Sequence, residues 1–440
     1  MTGKRYQSWG RYPKVDQEVR RLYWRNEPLP TASPRNGTFL PFGNGRSYGD
    51  VCLNDGGTLL DCRHLDRFIH FDAETGILCC EAGVLLSEIL RLTLAAGWFL
   101  PVTPGTRFVT VGGAIANDVH GKNHHLAGTF GEHVRSLELL RSDGTRIQCS
   151  PRENTGFFRA TIGGLGLTGV ITRAEIQLHP VNNAFIDQEV IRYSNLAEFF
   201  SLARESEARF EHTVAWIDCL ARGERLGRGL FIRGNHANAA EGMTAKPSER
   251  CLTFPVDPPF PLINRLTLKL FNALYYHRQR SDCTRSLVHY RPFFYPLDAV
   301  NRWNRVYGSK GFFQYQCVVP TGHMEGAMHE ILDRISKAGV GSFLAVLKLF
   351  GDRASPGLLS FPLPGATLAL DFPNDGQGTL RLLDQLDKVT RSAGGRINPS
   401  KDARMQPDDF QKGFPNWNMM DEYIDPNISS SFWRRVTADL

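Results

Sequence analysis

PGTRFVTVGGAIANDVHGKNHH, Pro104 to His125, has to be read together with a second glycine-rich loop upstream, PFGNGRSYGD, Pro41 to Asp50. Each places glycines where backbone must come close to something, and each carries few carboxylates. That suits a pyrophosphate-bearing ligand, because successive backbone N–H groups in a tight turn form a concave anion site without a helix N-terminus. Taken alone, Gly112-Gly113 reads as a bend in a strand. Two long glycine loops in one domain shift the balance toward a ligand.

A doubly wound nucleotide fold needs G-x-G-x-x-G between a strand and a helix, with an acidic residue about 20 positions further on. Gly164, Gly166 and Gly169 in GLGLTG match the spacing, but the context is reversed. SPRENTGFFRATIGG, before it, reads as a helix with Ser150 as N-cap, Pro151 in the first turn and Glu153 completing a capping box. VITRAEIQLHP, after it, alternates as a strand. The Pro41 to Asp50 loop likewise runs into a strand-like VCLNDGGTLLDC. Glycine loops that feed strands suggest another flavin fold.

With these pieces the chain resembles the vanillyl-alcohol-oxidase and p-cresol-methylhydroxylase (PCMH-type) class of FAD proteins, and within it the decaprenylphosphoryl-ribose oxidase family. The likeness rests on GNGRSYGD, PGTRFVTVGGAIANDVHGKNHH, GGLGLTGVI, FFQYQCVVP, LKLFG, LSFPLPG, LDFP and SKDAR, in family order over nearly the whole chain. It implies an α+β fold: a PCMH-type FAD-binding domain of two α+β subdomains over residues 1–180, an inserted antiparallel-sheet substrate domain over 181–395, and a segment over 396–440 that returns to the flavin domain. It also implies FAD contacts by Gly43, Asn44, Gly45, Arg46, Ser47, Tyr48 and Gly49, by Gly105, Thr110, Val111, Gly112, Gly113, Asn117, Asp118 and His120, and by Gly169 and Val170. Relatives in the wider class can bond the flavin through a histidine near the position of Tyr48; tyrosine cannot serve that way, so the FAD is expected to be non-covalent.

Composition sets the limits. The 440 residues are 42% hydrophobic, typical of a soluble globular protein of about two domains. A net charge of +6 is too diffuse for nucleic acid, though compatible with a phosphate-bearing substrate or an anionic membrane surface. Nine cysteines without C-x-x-C point to reduced thiols, with Cys79 and Cys80 facing opposite ways in a strand. The N-terminus lacks the apolar stretch of a signal peptide, and no apolar run reaches about 18 residues. A cytoplasmic protein, with any membrane contact peripheral, is expected.

In chain order, Asp16 to Trp24 has helical composition, and LSEILRLTLAAG is an amphipathic helix stopped by Gly97. HVRSLELLRSDGTRIQCS is a hairpin turning at Asp143-Gly144. His120 and His124 have the spacing of a helical zinc site, but Gly121 and Asn123 argue against helix and no further ligand follows, so no metal is expected. Loop histidines satisfied by hydrogen bonds account for His124 and His125. After Pro180 strands and helices alternate, and Asn235 to Pro261 is long enough to be a lid or a disordered segment. In LINRLTLKLFNALYYHRQR, leucines interleave with Arg265, Lys269, Arg278 and Arg280: either a helix packed on its own core or an element at an anionic membrane.

Oxidising an alcohol requires a base within reach of the hydroxyl proton. The resemblance assigns this region of the site to Lys401, with Tyr48 and His120 shaping the flavin face, and assigns sugar and phosphate binding to Lys122, Gln316, Lys348, Thr367 and Lys401. Whether Lys401 is base or electrostatic stabiliser stays open at this level. Gln316 and Lys348 also stand out as polar residues inside strand runs, which need partners; an exposed lysine on an edge strand is the plain alternative for Lys348, and a surface pair with Asp402 the plain alternative for Lys401. Three departures stand at substrate-facing or flavin-facing positions: Ala369 for the family's cysteine, Thr367 for an amide and Asn398 for an aromatic. The implied reaction is oxidation of the ribose 2-prime hydroxyl of a polyprenyl-phosphate-linked ribose to the keto sugar, completed by a partner reductase of the short-chain dehydrogenase type. An aldonolactone or alditol oxidase on the same fold, and a flavin-bound pathway subunit without turnover, are the alternatives.

Overall fold

The strand runs around Gln316 and Lys348, the first buried over most of its length, belong to one large sheet. The computed structural model describes residues 6–30, 37–238, 252–258 and 261–438. Eight antiparallel strands lie in the order Cys283–His289, Phe185–Tyr193, Gly229–His236, His212–Ile217, Val346–Phe350, Gly365–Pro373, Phe312–Pro320 and Arg396–Ile397. Gln316 stands opposite Ala369, and Lys348 opposite Thr367. Side chains alternate along a strand, so these four share one face. Helices Leu196–Ser206, Met324–Ala338 and Gln377–Ser392 cover the other face, where the Tyr315 hydroxyl meets Thr390 Oγ1 at 2.8 Å. Lys348 therefore lies in the sheet interior, between two paired strands, and not on an edge.

Two smaller sheets precede it. Five antiparallel strands run in the order Phe68–Asp72, Ile77–Glu81, Val170–Gln177, Val134–Leu140 and Arg146–Cys149, with the 134–149 hairpin as expected. Three parallel strands place Thr58–Asp61 between Glu18–Arg21 and Phe39–Phe42. Glu18–Arg21 corrects the helical expectation for Asp16 to Trp24: pairing along Thr58–Asp61 outweighs a modest local preference. Helix Leu86–Thr93 buries Ile89 and Leu90, and its terminal turn ends at Gly97 with φ 82°.

The capped-helix reading at Ser150 is shifted. Ser150 Oγ accepts from the Arg152 and Glu153 amides in a turn, and the helix spans Thr155–Thr161 behind a left-handed Asn154. The order of helix then strand through GLGLTG holds. The C-terminal residues pack on the first part of the chain: the Phe39 amide donates to Asn427 O, Ser429 N to Phe39 O and Ser431 N to Leu53 O. All eight cysteines among the described residues are unpaired. Most of Asn235 to Pro261, expected to be a lid or a disordered segment, lies outside the described residues.

Candidate active site

The two glycine loops pack directly on each other. Asn44 Nδ2 donates to Phe108 O at 2.8 Å, and a Cβ at Gly43 would lie 2.4 Å from Thr110 Oγ1. Thr110 caps a short helix, Val111–Ala116, through Oγ1 and the Gly113 amide at 3.2 Å. Gly112-Gly113 is therefore a helical turn, not the bend in a strand that the dipeptide alone suggests: the cap supplies the partner that a strand ladder would otherwise provide. Asn117 closes this helix, its Nδ2 donating to Gly113 O at 2.9 Å.

The buried polar atoms of these loops that lack a partner among the described residues include Arg46 Nε, Arg107 Nε and Asn117 Oδ1. Arg46 lies over Trp9 at 4.0 Å, and burial pushes its pKa down in spite of the nearby Asp298. A desolvated cation with an unused donor in one loop and an unused amide acceptor in the other fit a ligand carrying both anionic oxygens and N–H or O–H groups, as FAD does. The other predicted cofactor residues divide. Asp118 is engaged within the protein, accepting from Ser360 Oγ at 2.6 Å, the Gly131 amide at 2.8 Å and Ser355 Oγ. Gly169 has φ 148° and would place a Cβ 3.1 Å from Leu140 O, so strand packing accounts for that glycine, and Val170 beside it is fully buried.

The third wall is the C-terminal SKDAR turn. The Tyr48 amide donates to Ser400 O at 2.9 Å, and Lys401 Nζ sits 4.3 Å above the Tyr48 ring. Asp402 is not Lys401's ion partner; it accepts from the Arg404 and Met405 amides and from Arg435, which also binds Asp50. Lys401 is thereby left pointing inward.

His120, Gln316, Thr367 and Asn398 meet in one hydrogen-bonded group. Gln316 Nε2 lies 3.1 Å from His120 Nε2 and 3.3 Å from Thr367 Oγ1, while Asn398 Nδ2 donates to Gln316 Oε1 at 3.0 Å. Lys348 Nζ donates to Gly121 O at 2.9 Å; Lys122 Nζ donates to Phe293 O and lies 4.6 Å from that ring. His120, Lys122 and Lys348 are half-buried, and Gln316, Thr367 and Asn398 are buried. Burial brings Lys122 and Lys348 down to about 7, Lys348 also through its neighbours Lys122 and Lys401. Burial brings Lys401 down to about 8, with Asp371 pulling the other way. Burial, with Lys348, His124 and Lys401 adding to it, holds His120 neutral, well below the ordinary range. Several strongly shifted groups in one place mark a functional site.

Sequence reasoning missed Asp371. Buried on the Gly365–Pro373 strand, it accepts from Gln314 Nε2 at 2.7 Å and from the Tyr307 hydroxyl at 3.2 Å, and burial raises it to about 7. The criterion that singles out Gln316, a polar residue inside an apolar strand, applies equally to the aspartate of LALDFP. The histidine reading also needs correcting in part. His125 Nε2 meets Phe210 O at 2.9 Å as expected of a satisfied loop histidine, but neither ring nitrogen of the buried His124 has a hydrogen-bond partner among the described residues; its ring packs 4.5 Å from Phe350 instead.

With FAD expected to be non-covalent, denaturing the FAD-loaded protein and filtering it should pass the flavin. Flavin left on the unfolded chain would contradict this.

The FAD binding domain family matches residues 29–150, which contain both glycine loops. A decaprenylphosphoryl-beta-D-ribose oxidase of Mycolicibacterium smegmatis is 37% identical over 408 residues, covering 90% of this chain and 88% of the relative. An uncharacterized protein of Streptomyces coelicolor is 34% identical, covering 80% of this chain and all of the relative, and mouse L-gulonolactone oxidase is 29% identical over 184 residues, 40% of this chain and 41% of the relative. The extent of the first match, 37% identity over 90% of this chain, places this chain in the family of the decaprenylphosphoryl-beta-D-ribose oxidases, FAD-dependent oxidoreductases with an α+β fold.

Proposed function

We propose that this chain oxidises the ribose 2-prime hydroxyl of a polyprenyl-phospho-ribose to the keto sugar. The observation that carries the reading is the set of three desolvated lysines, Lys122, Lys348 and Lys401, around His120 and Gln316. Buried cations that burial drives toward neutrality are a poor arrangement for stability alone. They suit a ligand that brings its own anion, whose attraction is strong where water cannot screen it.

Bound FAD, held by the loops 43–49 and 105–120, supplies the hydride acceptor. The chain's own residues do the rest. Lys401, partly neutral near pH 7, takes the hydroxyl proton at Nζ as the C–H bond at the same carbon breaks. Lys122 and Lys348 bind the phosphate; Gln316 and Thr367 orient the sugar; Tyr48 and neutral His120 fix the wall behind the reacting carbon. In this reading residues 1–180 and 396–440 form the flavin half, and 181–395 the substrate half. A reductase of the short-chain dehydrogenase type then consumes the keto sugar, completing epimerisation to an arabinose donor. Trapping the product with borodeuteride tests the site of oxidation. Deuterium at C2-prime of the pentose is expected; deuterium at another carbon, or none, refutes the assignment.

The titrations set a pH profile. Turnover should rise with pH toward a plateau above about 8, because Lys401 must lose its proton. In the free enzyme Lys122 and Lys348 lose charge through about 7, so kcat/KM should fall on the alkaline side and peak between the two values. A turnover that declines as pH rises through 8 would make Lys401 a protonated stabiliser instead.

A lipid substrate calls for contact with a membrane surface. Helix Arg265–His277 buries Leu268 and Tyr276 but leaves Leu266, Leu270 and Leu274 exposed by 76%, 60% and 65%, beside exposed Arg265 and Lys269. Apolar residues four apart, flanked by cations, suit an anionic interface. No helix among the described residues is long and apolar enough to cross a membrane. The holoprotein should co-sediment with anionic vesicles and lose that retention in an Arg265→Glu/Lys269→Glu variant. Equal behaviour of the two forms would end the membrane reading.

A further inference from the structure

Away from the lysine site, the start of the His212–Ile217 strand and the end of the Gly229–His236 strand bring Glu211, His212 and His236 together. A ligand atom from each lies within 4.8 Å of the other two. His179, from a two-residue strand that pairs with Trp98–Phe99, completes the group: its Nε2 is 3.8 Å from Glu211 Oε1, and its ring is 5.9 Å from that of His236. We propose that Glu211, His212, His236 and His179 form a zinc site that clamps the large sheet to the strand pair carrying Phe99.

Unmet valence is the first support. The His212 side chain is only 4% exposed, yet neither ring nitrogen has a hydrogen-bond partner among the described residues, and the same is true of His236 Nδ1. His212 Nε2 lies 3.3 Å from Glu211 Oε1, within range of a hydrogen bond but not aligned for one. Buried imidazoles normally find a partner, and a cluster of them left without is incomplete.

Donor chemistry is the second. Imidazole nitrogens and one carboxylate are ordinary zinc ligands, and bonds of about 2.0–2.1 Å put neighbouring ligand atoms about 3.3 Å apart in a tetrahedron. The Glu211, His212 and His236 ligand atoms, within 4.8 Å of one another, must contract toward a common centre, and His179 must swing in from its 3.8 Å contact with Glu211.

The setting is the third. Phe294 packs 4.8 Å from the His212 ring and Phe99 5.1 Å from the His236 ring, so apolar rings line one side of the group, while the Glu211 and His179 side chains, 23% and 43% exposed, face its open side. Asn235 Oδ1 accepts from the Glu211 amide at 2.6 Å and fixes the ligand's backbone. An ion here would also stiffen the ground under the lysine site: Phe210 O holds His125 at 2.9 Å, and the Thr213 amide donates to Lys122 O at 2.9 Å. The role is positional: the four ligands reach the lysine site only through these neighbouring backbone groups.

The flavin-loaded full chain, stripped with chelator and dialysed, should take up one zinc per chain. Cobalt in its place should give d–d absorption to the red of the flavin band with the intensity of a tetrahedral site. Glu211→Gln and His236→Gln should each weaken cobalt binding by more than about 100-fold, the upper end of what losing a mere outer-shell partner costs. Their flavin content should stay unchanged, which separates metal loss from misfolding. Absence of cobalt binding to the stripped wild type overturns the proposal, and so does binding that survives both substitutions. A group that serves only as an ion pair between Glu211 and its histidines would give the first of these results.

Discussion

Replacing Lys401 by methionine should lower kcat by about 10²- to 10⁴-fold, the contribution of a positioned proton acceptor, while FAD stays bound. Methionine keeps the length of the side chain over the Tyr48 ring without its charge. Burial already costs the folded protein something for the Lys401 cation, since its pKa falls from 10.5 to about 8. A group whose folded pKa is depressed in this way opposes folding at pH values below it, so the variant should unfold at the same temperature as wild type or higher. Stopped-flow reduction of the flavin and a thermal melt separate the effects. A variant that reduces its flavin at the wild-type rate removes Lys401 from the chemistry. One that is slow and also less stable would give it a structural role instead.

Gly49→Ala should disrupt the protein severely, although it adds a single methyl group. A Cβ at Gly49 would lie 1.6 Å from Asp402 O and 2.4 Å from its carbonyl carbon, and backbone cannot swing aside as a side-chain tip can. To admit the methyl, the SKDAR turn must leave the first glycine loop. That breaks the bond from the Tyr48 amide to Ser400 O, and with it the Arg435 bridge to Asp50 and Asp402, at 2.7 and 3.0 Å on carboxylates only 5% and 2% exposed. Opening a buried ion network of this kind costs about 3–5 kcal/mol. The expected result is protein that purifies without FAD and melts far below wild type. Gly326→Ala is the control: it lies in helix Met324–Ala338 with no atom within 4 Å of the new methyl, and it should stabilise slightly, by up to about 1 kcal/mol. A Gly49→Ala protein with full flavin and an unchanged melt would show that the turn and loop are not tightly docked.

These two residues also show how much the sequence discloses. Long apolar strand runs such as FFQYQCVVP and GATLALDFP declare themselves, and a polar residue inside one, Gln316, stands out, although sequence reasoning misses Asp371 in the other. The glycine loops announce close approach but not what approaches: Gly43 meets Thr110, Gly49 meets the backbone of Asp402, and Gly169 meets Leu140. Only the fold separates glycines needed for packing from those that border a ligand. Short elements are harder to read. The four-residue strand Glu18–Arg21 is held by its neighbour's ladder rather than by its own composition, and the turn at Ser150 competes locally with a helix start. The Glu211, His212, His236 and His179 group has no sequence signature, because its members come from separate strands and join only through sheet register.

The absorption spectrum of the FAD-loaded protein under anaerobic conditions, before and after adding a polyprenyl-phospho-ribose, tests the proposed oxidation at its centre. Bleaching of the yellow flavin band within the first turnover is the predicted result. A band that persists with this substrate, yet bleaches with a lactone or a free alditol, would contradict it.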